Sequence, residues 1–235
     1  MPLPKFDYLK PQTTDELSAA LAEHGMDAKL LAGGTDLLVL MRDRLVRPKC
    51  LIDIKEIKDL RKLSWDERRG LTIGAAVTLN ELMASEVVRE RFGVLWKAAG
   101  TIADPTIRNR ATLVGNICNA SPAADTAPAL LVLDAEVEVV SAKGKRMIPI
   151  QEFFRGVKRT SLERGEFVNA VRIPNPPDGA KGDYLKWGRT RGEDLAVVGV
   201  AALVAVSGEK IMRIALSSVA PTPLRIFEVE KIPKE

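Results

Sequence analysis

Apolar residues along this chain recur with two periods. Thr13-Thr14-Asp15-Glu16 has capping-box spacing. Leu17, Ala20, Leu21 and His24 then share one helical face, and Gly25 closes the helix. His24 at that end suits the helix dipole as a cap. A short apolar run, Lys29-Leu30-Leu31-Ala32, reads as a strand that breaks into Gly33-Gly34-Thr35-Asp36. Leu37 to Leu45 reads as a helix or a long apolar turn, and Cys50 to Ile54 as a buried strand. The opening third therefore predicts a small α/β unit.

Leu71 to Ala75 is a further strand, and Thr78 starts a helix through Met83 with Glu81 completing its capping box. Helical spacing continues from Val87 through Ala99. The stretch from Gly100 to Ser121 has no clear period and predicts a loop or a set of tight turns; a loop of that length is usually functional. Pro122 opens a helix through Leu133. Glu136 to Val139, Met147 to Ile150 and Phe167 to Ile173 read as strands, and Pro174-Asn175-Pro176-Pro177-Asp178-Gly179 as a domain boundary. Beyond it, Asp183 to Trp187, Leu195 to Val206 and Lys210 to Ser218 suggest an antiparallel meander turning at Ser207-Gly208-Glu209.

The 235 residues are 46% hydrophobic and 28% charged, the composition of a globular chain that can bury a core. Thirty-five Lys and Arg against 31 Asp and Glu give a net charge of +4, with the bases mixed among acids from Arg42 to Arg69. Only 5% of residues are aromatic, so a nucleic-acid groove with stacking platforms is not expected. Two unspaced cysteines, Cys50 and Cys118, fit a reducing compartment and supply too few ligands for a four-cysteine zinc site or iron–sulfur cluster. The amino terminus does not resemble a signal peptide, and the longest apolar run, Leu195 to Val206, is too short to span a bilayer. A cytoplasmic location follows as an expectation.

Gly-x-Ser-x-Gly, P-loop and His-Glu-x-x-His motifs are missing, and His24 is the one histidine, so no catalytic acid, base or metal site is assigned. Two small-residue loops stand out. Lys29 to Asp36 ends a strand in two glycines, which let backbone approach a ligand and form an anion nest, or else simply turn strand into helix. Thr106 to Asp125 carries short donors and acceptors at Thr112, Asn116, Asn119 and Ser121, with Asp125 in the first turn of the next helix.

With these residues in order, the sequence resembles the FAD-binding subunit of the molybdenum hydroxylases, the group of carbon monoxide dehydrogenase and xanthine dehydrogenase. The resemblance rests on Ala32-Gly33-Gly34-Thr35-Asp36, on Ile107-Arg108-Asn109-Arg110-Ala111-Thr112-Leu113-Val114-Gly115-Asn116, and on Ser121-Pro122-Ala123-Ala124-Asp125. Phe153-Phe154-x-Gly156 with Thr160, Lys186…Arg191-Gly192-Glu193-Asp194-Leu195-Ala196 and Ser218 to Pro223 extend it over almost the whole chain. Val114 departs from the family's glycine, and relatives continue beyond the Ala220-Pro221-Thr222-Pro223 segment, so a shortened carboxyl-terminal domain is expected.

The resemblance implies an α+β fold: a two-lobed FAD-binding domain over residues 1–175, with lobes of about 1–60 and 61–175, then a small antiparallel-sheet domain over 176–235. It implies that Lys29, Leu30, Leu31, Ala32, Gly33, Gly34, Thr35 and Asp36 wrap the FAD pyrophosphate and ribitol, completed by Thr112, Gly115, Asn116 and Asn119. Ile102 and Ala103 would flank the cofactor, Cys118 would line it as a small filler, and Asp125 would bond its polar end. Val168 would lie near the adenine and Lys186 near the flavin. FAD would be non-covalent, since His24 matches no attachment position. The chain would be the medium subunit of an oxidoreductase, relaying electrons from a 2Fe–2S small subunit, with substrate oxidised on a molybdopterin large subunit and NAD or another acceptor taking the electrons. A stand-alone flavin reductase and a non-redox nucleotide-binding module are the alternatives.

Overall fold

A computed structural model describes residues 3–190, 194–206 and 210–231. Strand β1 (Asp7–Leu9) is followed by helix α1 (Thr14–His24), whose Thr13 side chain accepts the Glu16 N–H at 3.1 Å, the predicted cap. Gly25, at φ +52, ends it. Strand β2 (Ala28–Leu31), helix α2 (Leu37–Arg42) and strand β3 (Cys50–Asp53) complete a three-stranded parallel sheet in the order β1-β3-β2. The sheet buries Leu17 and Ile52 in the main core; Leu31, Leu51 and Met41 form a separate small cluster. Both faces of β3 are therefore covered, as a parallel strand requires.

Strands β4 (Leu63–Asp66) and β5 (Gly70–Gly74) lead into α3 (Leu79–Ala84), where the Thr78–Glu81 capping box forms in both directions. The single helical run expected from Val87 to Ala99 is two helices, α4 (Glu86–Arg91) and α5 (Gly93–Gly100), separated at Phe92. The stretch read as loop also differs. It contains α6 (Pro105–Arg108), capped by Asp104, and α7 (Leu113–Cys118), capped by Thr112. Helices of one or two turns are shorter than any period that sequence can display. The next helix, α8 (Thr126–Val132), starts four residues after Pro122, because Ser121–Ala124 forms a turn first.

All seven residues of α8 are buried, the mark of a central helix. Arg213 and Arg225 donate to the carbonyls of Val132 (3.1 Å) and Leu131 (2.9 Å) at its C-terminal end, where cations complement the dipole. Strands β6 (Glu136–Ser141) and β7 (Gly144–Pro149), the one-turn α9 (Ile150–Phe153), a hairpin of β8 (Phe154–Gly156) and β9 (Arg159–Thr160), and β10 (Phe167–Ile173) follow. Strands β6, β7 and β10 join β4 and β5 in an antiparallel sheet of order β4-β5-β10-β6-β7, while β8 and β9 pair apart from it.

The expected meander is present as β11 (Lys181–Trp187), β12 (Val198–Ala205) and β13 (Ile211–Ser217), extended by β14 (Leu224–Arg225) before the one-turn helix α10 (Phe227–Glu230). All pairings in this sheet are antiparallel, in chain order. The Ser207-Gly208-Glu209 turn and the Arg191-Gly192-Glu193 segment lie outside the described residues. One face of the sheet packs Ala201, Leu203 and Ala215 into the main core; the other exposes Leu185 and Trp187. The fold is mixed helix and sheet, as expected.

Candidate functional site

The two small-residue loops meet. Gly33, just past β2, lies so close to the second loop that a Cβ there would stand 2.5 Å from the Arg110 carbonyl carbon and 2.9 Å from the Ala111 nitrogen. The glycine is required by this approach of backbone to backbone, not by its own φ. Gly34 does need glycine's freedom, at φ +78. Asn119 Nδ2 donates to Asp36 Oδ1 at 2.7 Å, and Lys158 Nζ, from the β8–β9 hairpin, donates to Asn119 Oδ1 at 2.8 Å. Ala111 also accepts the Leu79 N–H at 2.8 Å, and Thr78 pairs with Thr112 in an isolated bridge. Three chain segments are thus tied together at one place.

Between them opens a cleft of about 270 Å³, lined by Ala32, Gly33, Lys55, Arg61, Arg110 and Thr112 together with amide and carboxylate side chains of α3 and α6's end. Sequence reasoning missed Lys55, Arg61, Asn80 and Glu81 as site residues, because they come from separate segments with no shared motif; Asn109 lies inside the Ile107–Asn116 motif but was not selected. Lys55 is held by Asp53 at 2.7 Å and Arg61 by Glu81 at 2.5 Å. Asn80 donates to Asn109 at 2.6 Å. The donors, cations and absent side chains at positions 33 and 34 suit a negatively charged, extended group such as a diphosphate.

The side chains selected in the second loop serve the loop itself as well. Thr112, buried, accepts the Gly115 N–H at 2.9 Å. Asn116 Oδ1 accepts from the fully buried Thr126 hydroxyl at 2.6 Å. Cys118 lies beside them, and burial pushes its thiol up to about 12, so the thiolate is not formed near neutral pH.

Asp125 is buried at the N-terminal end of α8 and joins this loop to the C-terminal sheet. Its carboxylate accepts from Tyr184 Oη (2.8 Å) and Lys186 Nζ (3.0 Å). Burial raises the Asp125 pKa, opposed by Lys186 and then Tyr184; burial also raises the Tyr184 pKa. Lys186 Nζ donates in addition to the Thr101 carbonyl at 3.2 Å, in the turn that carries Ile102 and Ala103. Ala103 holds φ +41, a left-handed conformation rare for a residue with a Cβ.

Most selected positions thus converge. Ala32 to Asp36, Thr112 to Asn119, Asp125, Lys186 and the Ile102–Ala103 turn form one connected group through the contacts above. Lys29 is exposed on the edge strand β2, Leu30 is half-buried, and Leu31 points into the small cluster with Met41. Val168 stands apart in the main core, paired with Val139. Among the described residues no helix is long and apolar enough to cross a membrane.

A family model described as the FAD binding domain in molybdopterin dehydrogenase matches residues 4–176. The carbon monoxide dehydrogenase medium chain of Hydrogenophaga pseudoflava is 38% identical over 224 residues, covering 94% of this chain and 77% of the relative. The xanthine dehydrogenase FAD-binding subunit of Escherichia coli O157:H7 is 35% identical over 207 residues, 87% of this chain and 71% of the relative. A solved structure, reconstituted CO dehydrogenase from Oligotropha carboxidovorans, superposes with a TM-score of 0.93 at 33% identity, covering 98% of this chain and 81% of that one.

Proposed function

This chain belongs to the family of FAD-binding domains of the molybdopterin dehydrogenases, and from that premise we propose that it is the electron-relaying medium subunit of a molybdenum hydroxylase complex. The observation that carries the reading is the direct contact of the two glycine-bearing loops, Gly33 against Arg110 and Asp36 against Asn119. In this reading residues 1–175 hold FAD non-covalently and residues 176–235 close over it through Tyr184 and Lys186.

Gly33 to Asp36 and Thr112 to Asn119 would hold the diphosphate and ribitol, with Lys55 and Arg61, each already paired with a carboxylate, as donors, and Arg110, in no ion pair among the described residues, as the cleft's net positive charge. Lys29 to Ala32 would support the first loop, and Val168 would back the site from the core. Asp125 and Lys186 would bond the cofactor's polar ring edge, and Ile102 and Ala103 would wall it. Bound FAD would supply a centre that takes electrons singly and releases them in pairs. The protein's part is to bind, orient and tune it. None of the residues assigned is a catalytic acid or base. Electrons would arrive from 2Fe–2S clusters on a small subunit, substrate would be oxidised on a molybdopterin-binding large subunit, and NAD or another acceptor would take the electrons, all in the cytoplasm.

The visible spectrum of the purified chain after desalting tests the cofactor. A yellow protein with two co-purifying chains, one carrying iron and one molybdenum, supports the complex. A yellow protein that purifies alone and reduces its acceptor unaided would favour a self-standing flavin reductase. A colourless protein with no flavin signal on adding FAD would leave a non-redox nucleotide-binding module.

A further inference from the structure

We propose that Arg108 is a positioning residue of the cofactor site: a charged staple that fixes the Gly100–Ala103 turn and lends the site a positive charge that no ion pair among the described residues cancels. The inference rests on the reading of the chain as an FAD holder and deepens it.

Arg108 closes the one-turn helix α6, inside the motif that marks the second loop. Its Nη1 donates to three backbone carbonyls, Gly100 (3.2 Å), Ile102 (2.7 Å) and Ala103 (2.9 Å). The remaining carbonyl of the turn, Thr101, accepts from Lys186 Nζ at 3.2 Å. Four consecutive carbonyls therefore end on two cations. Such bracing explains how Ala103 keeps its left-handed φ of +41, since strain of this kind persists only where the surroundings over-determine the backbone.

The two cations differ in one respect. Lys186 is paired with the buried Asp125 carboxylate at 3.0 Å, so its charge is largely cancelled. Among the described residues Arg108 forms no ion pair, and its hydrogen bonds all run to carbonyls. Asp104, one turn earlier, accepts the Ile107 N–H at 2.8 Å as the cap of α6. A half-buried guanidinium normally finds a carboxylate. Here the Nε is moreover buried with no acceptor, an arrangement that disfavours folding. A guanidinium with no ion pair among the described residues, bracing a turn read as flanking the cofactor, has a use if the site must hold an anion and favour the electron-loaded form of its cofactor.

The test compares the full wild-type chain with Arg108→Gln and Arg108→Lys, measuring FAD affinity by flavin fluorescence and the midpoint potential of the bound flavin by dye equilibration. Gln keeps a donor without the charge; Lys keeps the charge without the fork. The expected result is FAD binding weakened about tenfold in Arg108→Gln, with a more negative potential, and a potential close to wild type in Arg108→Lys. If Arg108→Gln does not fold, the same comparison is made in an Ala103→Gly background, where the turn no longer depends on the staple. A Gln variant with wild-type potential, or Gln and Lys variants shifted alike, overturns the inference while FAD binding stands. A wild-type chain that takes up no FAD overturns the parent reading as well.

Discussion

Replacing Gly33 with Ala puts the proposed site to its sharpest structural test. The added methyl carbon would lie 2.5 Å from the Arg110 carbonyl carbon, with the carbonyl oxygen nearer still. Ordinary contact starts at 3.4 Å, so the loops must part by at least about 0.9 Å. Neither side can yield cheaply, because both atoms belong to backbone that is hydrogen-bonded in place: Ala111 to Leu79, and Arg110 to Ile107. Overpacking of this kind destabilises by about 1–3 kcal/mol, or roughly 2–12 °C in Tm for a chain of this size. The same displacement lengthens a 2.7 Å bond such as Asn119 to Asp36 beyond hydrogen-bonding range. Losing one charge-assisted bond to a diphosphate is worth about 1.5–3 kcal/mol, so FAD affinity should fall by roughly ten- to a hundredfold. Thermal unfolding with and without FAD, and fluorescence titration with FAD, measure the two effects separately. A variant with unchanged Tm and unchanged affinity would refute the claim that the loops touch.

Asn116→Leu removes the acceptor of the buried Thr126 hydroxyl and should destabilise the chain by about 1–3 kcal/mol in urea; an unchanged midpoint would show that the bond contributes nothing. The Arg146 guanidinium, bonded to Glu166, holds that carboxyl below its ordinary value. The pair's stabilisation is therefore complete above the ordinary glutamate value, about 4.3, and is lost as pH falls through the lower folded value. Glu166→Gln should flatten the acid limb of stability against pH below about 4.3, and identical limbs would contradict the assignment. Cys118, whose thiol is pushed up to about 12, should resist iodoacetamide in the native chain at neutral pH and react after denaturation. Equal rates in both states would show an exposed thiolate.

What could be read from sequence was whatever local chemistry decides. The caps at Thr13 and Thr78, the left-handed Gly25 and the strand pattern from Glu136 all rest on neighbours within a few residues, and all appear in the fold. The short helices α6 and α7 did not register. Two of their caps, Asp104 and Thr112, are visible in hindsight, but α7 buries Leu113, Val114 and Ile117 and displays no polar stripe to contrast with them. Val114, where the resemblance leads one to expect glycine, is buried inside a helix whose backbone accepts a β-branched side chain. The loop pair could be named because its glycines and amides are contiguous in sequence. The cleft residues outside those loops could not, since Lys55, Arg61 and Asn80 are brought to them only by tertiary folding. Arg108 was visible within its motif, yet its role depends on carbonyls that only a folded turn aligns.

The most direct measurement is an experimental structure of the full chain with FAD. The account predicts the diphosphate bridge held between Gly33–Asp36 and Thr112–Asn119, with the flavin edge reaching Asp125 and Lys186. Density for the diphosphate anywhere away from that pair of loops, with the loops still in contact, would contradict it.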